Sequence, residues 1–119
     1  FTLDNYKNAF YNLNILRAYG MSFFISGSVT IGVIILASMM SFALTRYNFK
    51  GKWVLDAILI ASLMFPVFST IIPVYQMMIK WELLNTPIAV ILPQIASNLS
   101  FATIVMMGFM RAIPLEIEE

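Results

Sequence analysis

Gln94, Ser97, Asn98 and Phe101 fall at spacings of three, one and three residues, so all four share one face if the segment is helical. Two amides, a hydroxyl and a ring make an uncharged polar surface. Amides both donate and accept hydrogen bonds, and a ring offers an apolar face to stack on. Such a set suits a neutral, polyhydroxylated ligand in a path across a membrane. Membrane helices also use the same groups to hydrogen-bond one another, and spacing alone leaves both readings open.

Three prolines form a second set. Pro66 and Pro73 are seven residues apart, and each lacks the N–H that would bond the carbonyl four residues back, at Ser62 and Ser69. They predict a bent or broken helix, either lining a cavity or fitting its neighbours. Pro93 predicts a further interruption, while Asn85-Thr86-Pro87 reads as a capped helix start. A third set closes the sequence. Pro114 can occupy the first turn of a new helix, with Glu116, Glu118 and Glu119 near its positive end. An acidic docking helix and an ordinary acidic loop fit that pattern equally.

Other chemistry is excluded by what the chain lacks. It has no cysteine and no histidine, so disulfides, Cys/His metal sites and histidine catalysis are ruled out within it. No carboxylate pair lies inside an uncharged stretch, which argues against a proton relay or an intramembrane hydrolase. With no glycine-rich phosphate loop, no cofactor is expected on this chain. The net charge of +1 and the scatter of the basic residues give no nucleic-acid signal. Asp56 is expected to play a structural part near a helix start, within reach of Lys50 or Lys52.

The elements that carry these residues must be membrane helices. The composition is 61% hydrophobic and 11% charged, against about half and a quarter in soluble domains. Uncharged stretches of 28, 23 and 28 residues separate Arg17 from Arg46, Asp56 from Lys80, and Glu82 from Arg111. A spanning helix needs about 20 apolar residues, and long unalternating runs do not suit a transmembrane barrel. The expected order is an outer amphipathic segment over 1–17, a span over 18–45 and a loop over 46–52. A proline-broken span over 53–79, an outer loop over 80–86, a span over 87–110 and a tail over 111–119 follow. The loop holds Arg46, Lys50 and Lys52 with no acid, which places it in the cytoplasm. Lys80 and Glu82 then lie outside and Arg111 inside. Trp53 and Trp81 flank the middle span at interface depth. Ser28 and Gly32, with Ser22, Ser26, Ser38 and Ser41, read as close-packing positions, and the nine methionines as gap-filling residues. Phe1 is not a natural start, so the chain is read as a segment of something longer.

At the tail, Ile113-Pro114-Leu115-Glu116-Ile117-Glu118-Glu119 resembles the opening of the EAA loop of type I ABC importer permeases. Other segments resemble carbohydrate permeases of the MalG-like group, in the same order. They are Leu3-Asp4-Asn5-Tyr6, the run Ser41 to Lys52, Met64-Phe65-Pro66 with Ile72-Pro73-Val74-Tyr75, and Leu83-Leu84-Asn85-Thr86 with Ile91-Leu92-Pro93. Met21-Ser22 departs from the polar residue that often opens the family's second helix. The resemblance implies an all-α, polytopic helix bundle, here helices two to four of six, forming half of a sugar path. It implies a second permease subunit, two ATPase subunits holding ATP and Mg, an extracytoplasmic solute-binding protein and a prokaryotic plasma membrane. Pro114, Glu116, Glu118 and Glu119 would begin the helix that couples to the ATPase, and Pro66, Pro73 and Pro93 would break helices in the path. Another small polar solute, or a non-transport scaffold, is the alternative.

Overall fold

The computed structural model describes residues 3–12 and 14–114. Glu116, Glu118 and Glu119 lie outside the described residues, as do Phe1 and Leu13 of the amphipathic segment. Among the described residues the elements are all helical: α1 (Asp4–Asn12), α2 (Ile15–Arg46), α3 (Lys52–Leu63), a 3-10 turn (Val67–Thr70), α4 (Ile71–Lys80) and α5 (Ile88–Ala112).

α2 has 32 residues and α5 has 25. At 1.5 Å per residue both exceed the roughly 30 Å of bilayer hydrocarbon, and both are apolar enough to cross it. Their hydroxyls are satisfied locally. Ser28 donates to the Phe24 carbonyl at 2.7 Å, Ser38 to Ile34 at 2.6 Å and Thr45 to Ser41 at 2.6 Å. Back-bonding of this kind lets a polar residue sit in an apolar helix without a partner helix.

α2 packs mainly against α5. Val29, Ala37, Ser41 and Leu44 are the buried positions of α2, and Thr103 and Met107 those of α5. Ala37, Ser41 and Thr103 are small, which lets the backbones approach closely. The tightest point is Gly32, where a Cβ would lie 2.6 Å from Cδ1 of Ile95. α3 joins through a cluster of Leu44, Leu59 and Met107, with Met40 and Ile104 against it.

The contacts fix the direction of the helices. Gly32 meets Ile95, Ser38 reaches Met106 and Ser41 reaches Met110. Residue numbers rise together, so α2 and α5 run parallel. The chain between them must therefore return along the length of the pair. α3 and the turn-plus-α4 unit make that return, with a bend of 97° between them.

The bend has a local cause. Pro66 cannot donate to Ser62, and it disfavours a helical Phe65. The chain tightens instead, with Met64 N bonding Ala61 O and Phe65 N bonding Ser62 O, and Pro66 is extended at φ −68°, ψ 126°. Pro73 and Pro93 behave differently from expectation, because neither breaks a helix. Pro73 is the third residue of α4, among the first four amides that lack an intrahelical acceptor. Pro93 lies inside α5, near its start, and the helix runs through it. The predicted side-chain cap of α5 is also absent: Pro87 is the N-cap residue, and the Thr86 hydroxyl turns back to the Leu83 carbonyl at 2.6 Å.

Large apolar side chains remain open to the surroundings across the molecule. Trp53 is 75% exposed, Phe109 71% and Phe68 85%. Such a surface belongs in lipid or against further helices, not in water. On and just before α1, Leu3, Tyr6 and Phe10 stay exposed at helical spacing, as suits a helix lying on a bilayer surface.

Candidate functional site

Of the four residues singled out on α5, three share a cleft. Gln94, Asn98 and Phe101 line a space of about 420 Å³ with Ser26, Val29, Thr30, Val33 and Ile34 of α2. Ser97 faces away, into a neighbouring groove of about 590 Å³ bounded by Val67, Thr70, Ile71, Val74 and Trp81. Gln94 lines both, and also a third cleft of about 500 Å³ beside Tyr75, Asn85 and Thr86. It thus stands where the spaces around the N-terminal half of α5 meet.

The chemistry of the first cleft follows from its hydrogen bonds. Asn98 Nδ2 donates to the Gln94 carbonyl at 2.8 Å, which leaves its Oδ1 as an outward acceptor. Ser26 donates to Ser22 O at 2.7 Å and Thr30 to Ser26 O at 2.8 Å. Their oxygens keep lone pairs for a ligand. The Gln94 side chain has no hydrogen-bond partner among the described residues, so its amide supplies the free donors. Phe101 adds an apolar ring that is 63% exposed. No charged residue lines this cleft. A neutral ligand rich in hydroxyls matches that lining; an ion would enter without a counter-charge.

Ser26 and Thr30 were not legible as lining residues. Ser26 read as a packing position, and Thr30 carried no signal beyond its spacing of four from Ser26. Small hydroxyl residues in an apolar span look the same whether they pack or line a cleft.

At the opposite end, the C-terminus of α5 is tied to α2. Arg46 Nη2 donates to the Ile113 carbonyl at 3.3 Å. The hydroxyls of Ser41 and Thr45 approach Met110 Sδ at 3.5 and 3.6 Å. Pro114 follows directly and is exposed. One cation and two hydroxyls of α2 therefore hold the point from which the chain leaves α5.

The chain is similar along nearly all its length to permease proteins of ABC transport systems. It is 32% identical over 116 residues to the diacetylchitobiose uptake system permease protein NgcG of Streptomyces coelicolor, covering 98% of this chain and 38% of that protein. It is 34% identical over 100 residues to the arabinooligosaccharides transport system permease protein AraQ of Halalkalibacterium halodurans, covering 83% and 36%. It is 30% identical over 118 residues to the trehalose transport system permease protein SugB of Mycobacterium tuberculosis, covering 99% and 43%. The chain spans about two fifths of the length of these relatives. No protein-family model matches the chain, and no solved structure matches it significantly. It is similar to sugar-transporter permease proteins, and among the described residues two helices are long and apolar enough to cross a membrane.

Proposed function

We propose that this chain, a segment of a carbohydrate ABC-transporter permease, supplies helices two to four of a six-helix subunit of type I. That subunit forms half of a translocation path for a sugar or oligosaccharide. The observation that carries the reading is the similarity, over 98% of the chain, to a permease protein of an oligosaccharide uptake system. The uncharged cleft around Gln94 supports it, since amides, hydroxyl oxygens and a ring are the groups a neutral sugar needs.

In this reading a second permease subunit completes the path and a solute-binding protein delivers the sugar from outside. Two ATPase subunits bind ATP and Mg, while this chain holds no cofactor and catalyses no reaction. The protein sits in a prokaryotic plasma membrane with loop 46–52 in the cytoplasm. Pro114, Glu116, Glu118 and Glu119 belong to the segment that couples this chain to the ATPase. Nucleotide-driven motion of the ATPase pair moves that segment, and the parallel α2–α5 pair passes the motion to the cleft. The bend at Pro66 gives the path a flexible wall.

The test reconstitutes the full-length permease with its partner subunits in proteoliposomes. Diacetylchitobiose, arabino-oligosaccharides and trehalose are offered as labelled solutes. ATP-dependent uptake of at least one is expected. Uptake confined to an amino acid or a polyamine would move the assignment to another polar solute. A complex that moves nothing while its ATPase turns over would leave a membrane scaffold. Reversing the charges at Glu116, Glu118 and Glu119 is expected to uncouple the ATPase; normal assembly and uptake would overturn the coupling role.

A further inference from the structure

Asp56 is the acid that the path does not use. It is the fifth residue of α3, and its Oδ1 is buried with no hydrogen-bond partner. A carboxylate oxygen withdrawn from water without a donor is destabilising. The lysines expected to meet it do not: Lys52 Nζ donates to the Tyr47 carbonyl at 3.5 Å, and Lys50 lies exposed in the loop. Arg46 is engaged at Ile113. A different cation lines the same space. Asp56 and Arg111 are the charged walls of a cleft of about 400 Å³, otherwise formed by Leu59, Ile60, Ile104, Met107 and Gly108. A Cβ at Gly108 would meet nothing within 4 Å, so the cleft has room for the long arginine side chain to swing inward.

We infer that Asp56 and Arg111 close into an ion pair that fastens α3 to the end of α5. The structure holds the pair open. Closing it brings the Arg111 guanidinium to Asp56 across the cleft that both line, and the apolar cleft walls strengthen the attraction by excluding water. Arg111 lies three residues before Pro114, so the pair sets where the following segment sits. Both are positioning residues. Their role in coupling rests on the permease reading, whereas the pairing itself does not.

The experiment uses the full-length permease in its assembled transporter. Asp56→Asn and Arg111→Gln are each expected to lower the melting temperature by several degrees and to reduce ATP hydrolysis in proteoliposomes. Asp56→Arg combined with Arg111→Asp is expected to recover most of both, with a coupling between the sites of roughly five-fold in rate. Asp56→Glu and Arg111→Lys should retain function. This chain has no cysteine, so Asp56→Cys with Arg111→Cys reports proximity through a short bifunctional thiol reagent, without depending on transport. Cross-linking in at least one of the ATP-free and vanadate-trapped states is expected. Absent cross-linking in both, or a charge swap no better than the sum of the single changes, would overturn the pair. Neither result bears on uptake by the unaltered transporter, which tests the permease reading separately.

Discussion

Gln94 is the residue whose side chain has most to offer a solute, because its amide is unengaged and three clefts touch it. Gln94→Leu keeps the volume and removes the hydrogen bonds. If the proposed sugar path is right, one or two bonds at about 1 kcal/mol each correspond to a roughly ten-fold rise in the KM of ATP-driven sugar uptake. Asn98→Leu should cost less, since Nδ2 already serves the Gln94 carbonyl within its own helix. Equal, unchanged KM values for both variants would remove the cleft from the path. Gly32 carries a separate prediction. A methyl there lies 2.6 Å from Ile95 Cδ1, the free end of that side chain, so Gly32→Ala should cost at most about 1 kcal/mol net of the helix propensity that alanine adds. Adding Ile95→Ala should recover part of that, read as melting temperature in detergent. The face at 94, 97, 98 and 101 was legible because helical spacing is regular. Which neighbour each residue would meet was not, and Ser97 duly turned to a different groove. The partner of Gly32 was equally hidden, since a small residue signals close approach without naming what approaches.

The broken segment shows what a sequence tells about elements and where it stops. Pro66 sits mid-segment and removes a bond that the helix needs, so the break there could be read directly. Pro73 is chemically identical to it, yet it stands in the first turn of α4, and only the starting point found in the structure reveals that; Pro93 lies inside α5 without ending it. Pro66→Ala restores a donor for Ser62 and should open the 97° bend. Spin labels at Ile58 and Tyr75 would then move apart, toward the roughly 26 Å expected of a continuous helix. An unchanged distance would mean that packing holds the bend instead. The end of α4 offers a cleaner stability test. Leu83 N bonds Met78 O and Glu82 N bonds Ile79 O, with Glu82 at φ 56°. This is a Schellman stop that normally takes glycine. Glu82→Gly removes the left-handed strain on an exposed side chain, and should add about 1 kcal/mol. A loss of stability would show that Glu82 has a partner in the full transporter.

At the scale of the whole molecule, the parallel course of α2 and α5 constrains how the chain crosses the bilayer. Arg46 and Ile113 meet at one end, while the start of α5 faces the middle of α2 through Gly32 and Ile95. Parallel helices joined through loop 46–52 require the α3–α4 segment to carry the chain back across, bent or not. Loop 46–52 and the exit at Pro114 therefore share a side, and Glu82 lies on the other. Charge decides which side is which. Arg46, Lys50, Lys52 and Arg111 gather at the first end, against Lys7, Arg17 and Lys80 at the other, so the positive-inside rule expects the first end in the cytoplasm, as proposed above. The margin is one cation, which makes direct measurement worthwhile. In intact cells, a membrane-impermeant thiol reagent should label Glu82→Cys and spare Asn48→Cys; inverted vesicles should reverse the pattern. Labelling of both from one side would make α3–α4 a re-entrant loop and turn α5 over. Pro114 would then leave the membrane on the side opposite loop 46–52, breaking the Arg46–Ile113 contact. A fully inverted result would keep the fold intact and place the coupling segment where no ATPase could reach it. The labelling pattern thus separates an error in the fold from an error in its orientation.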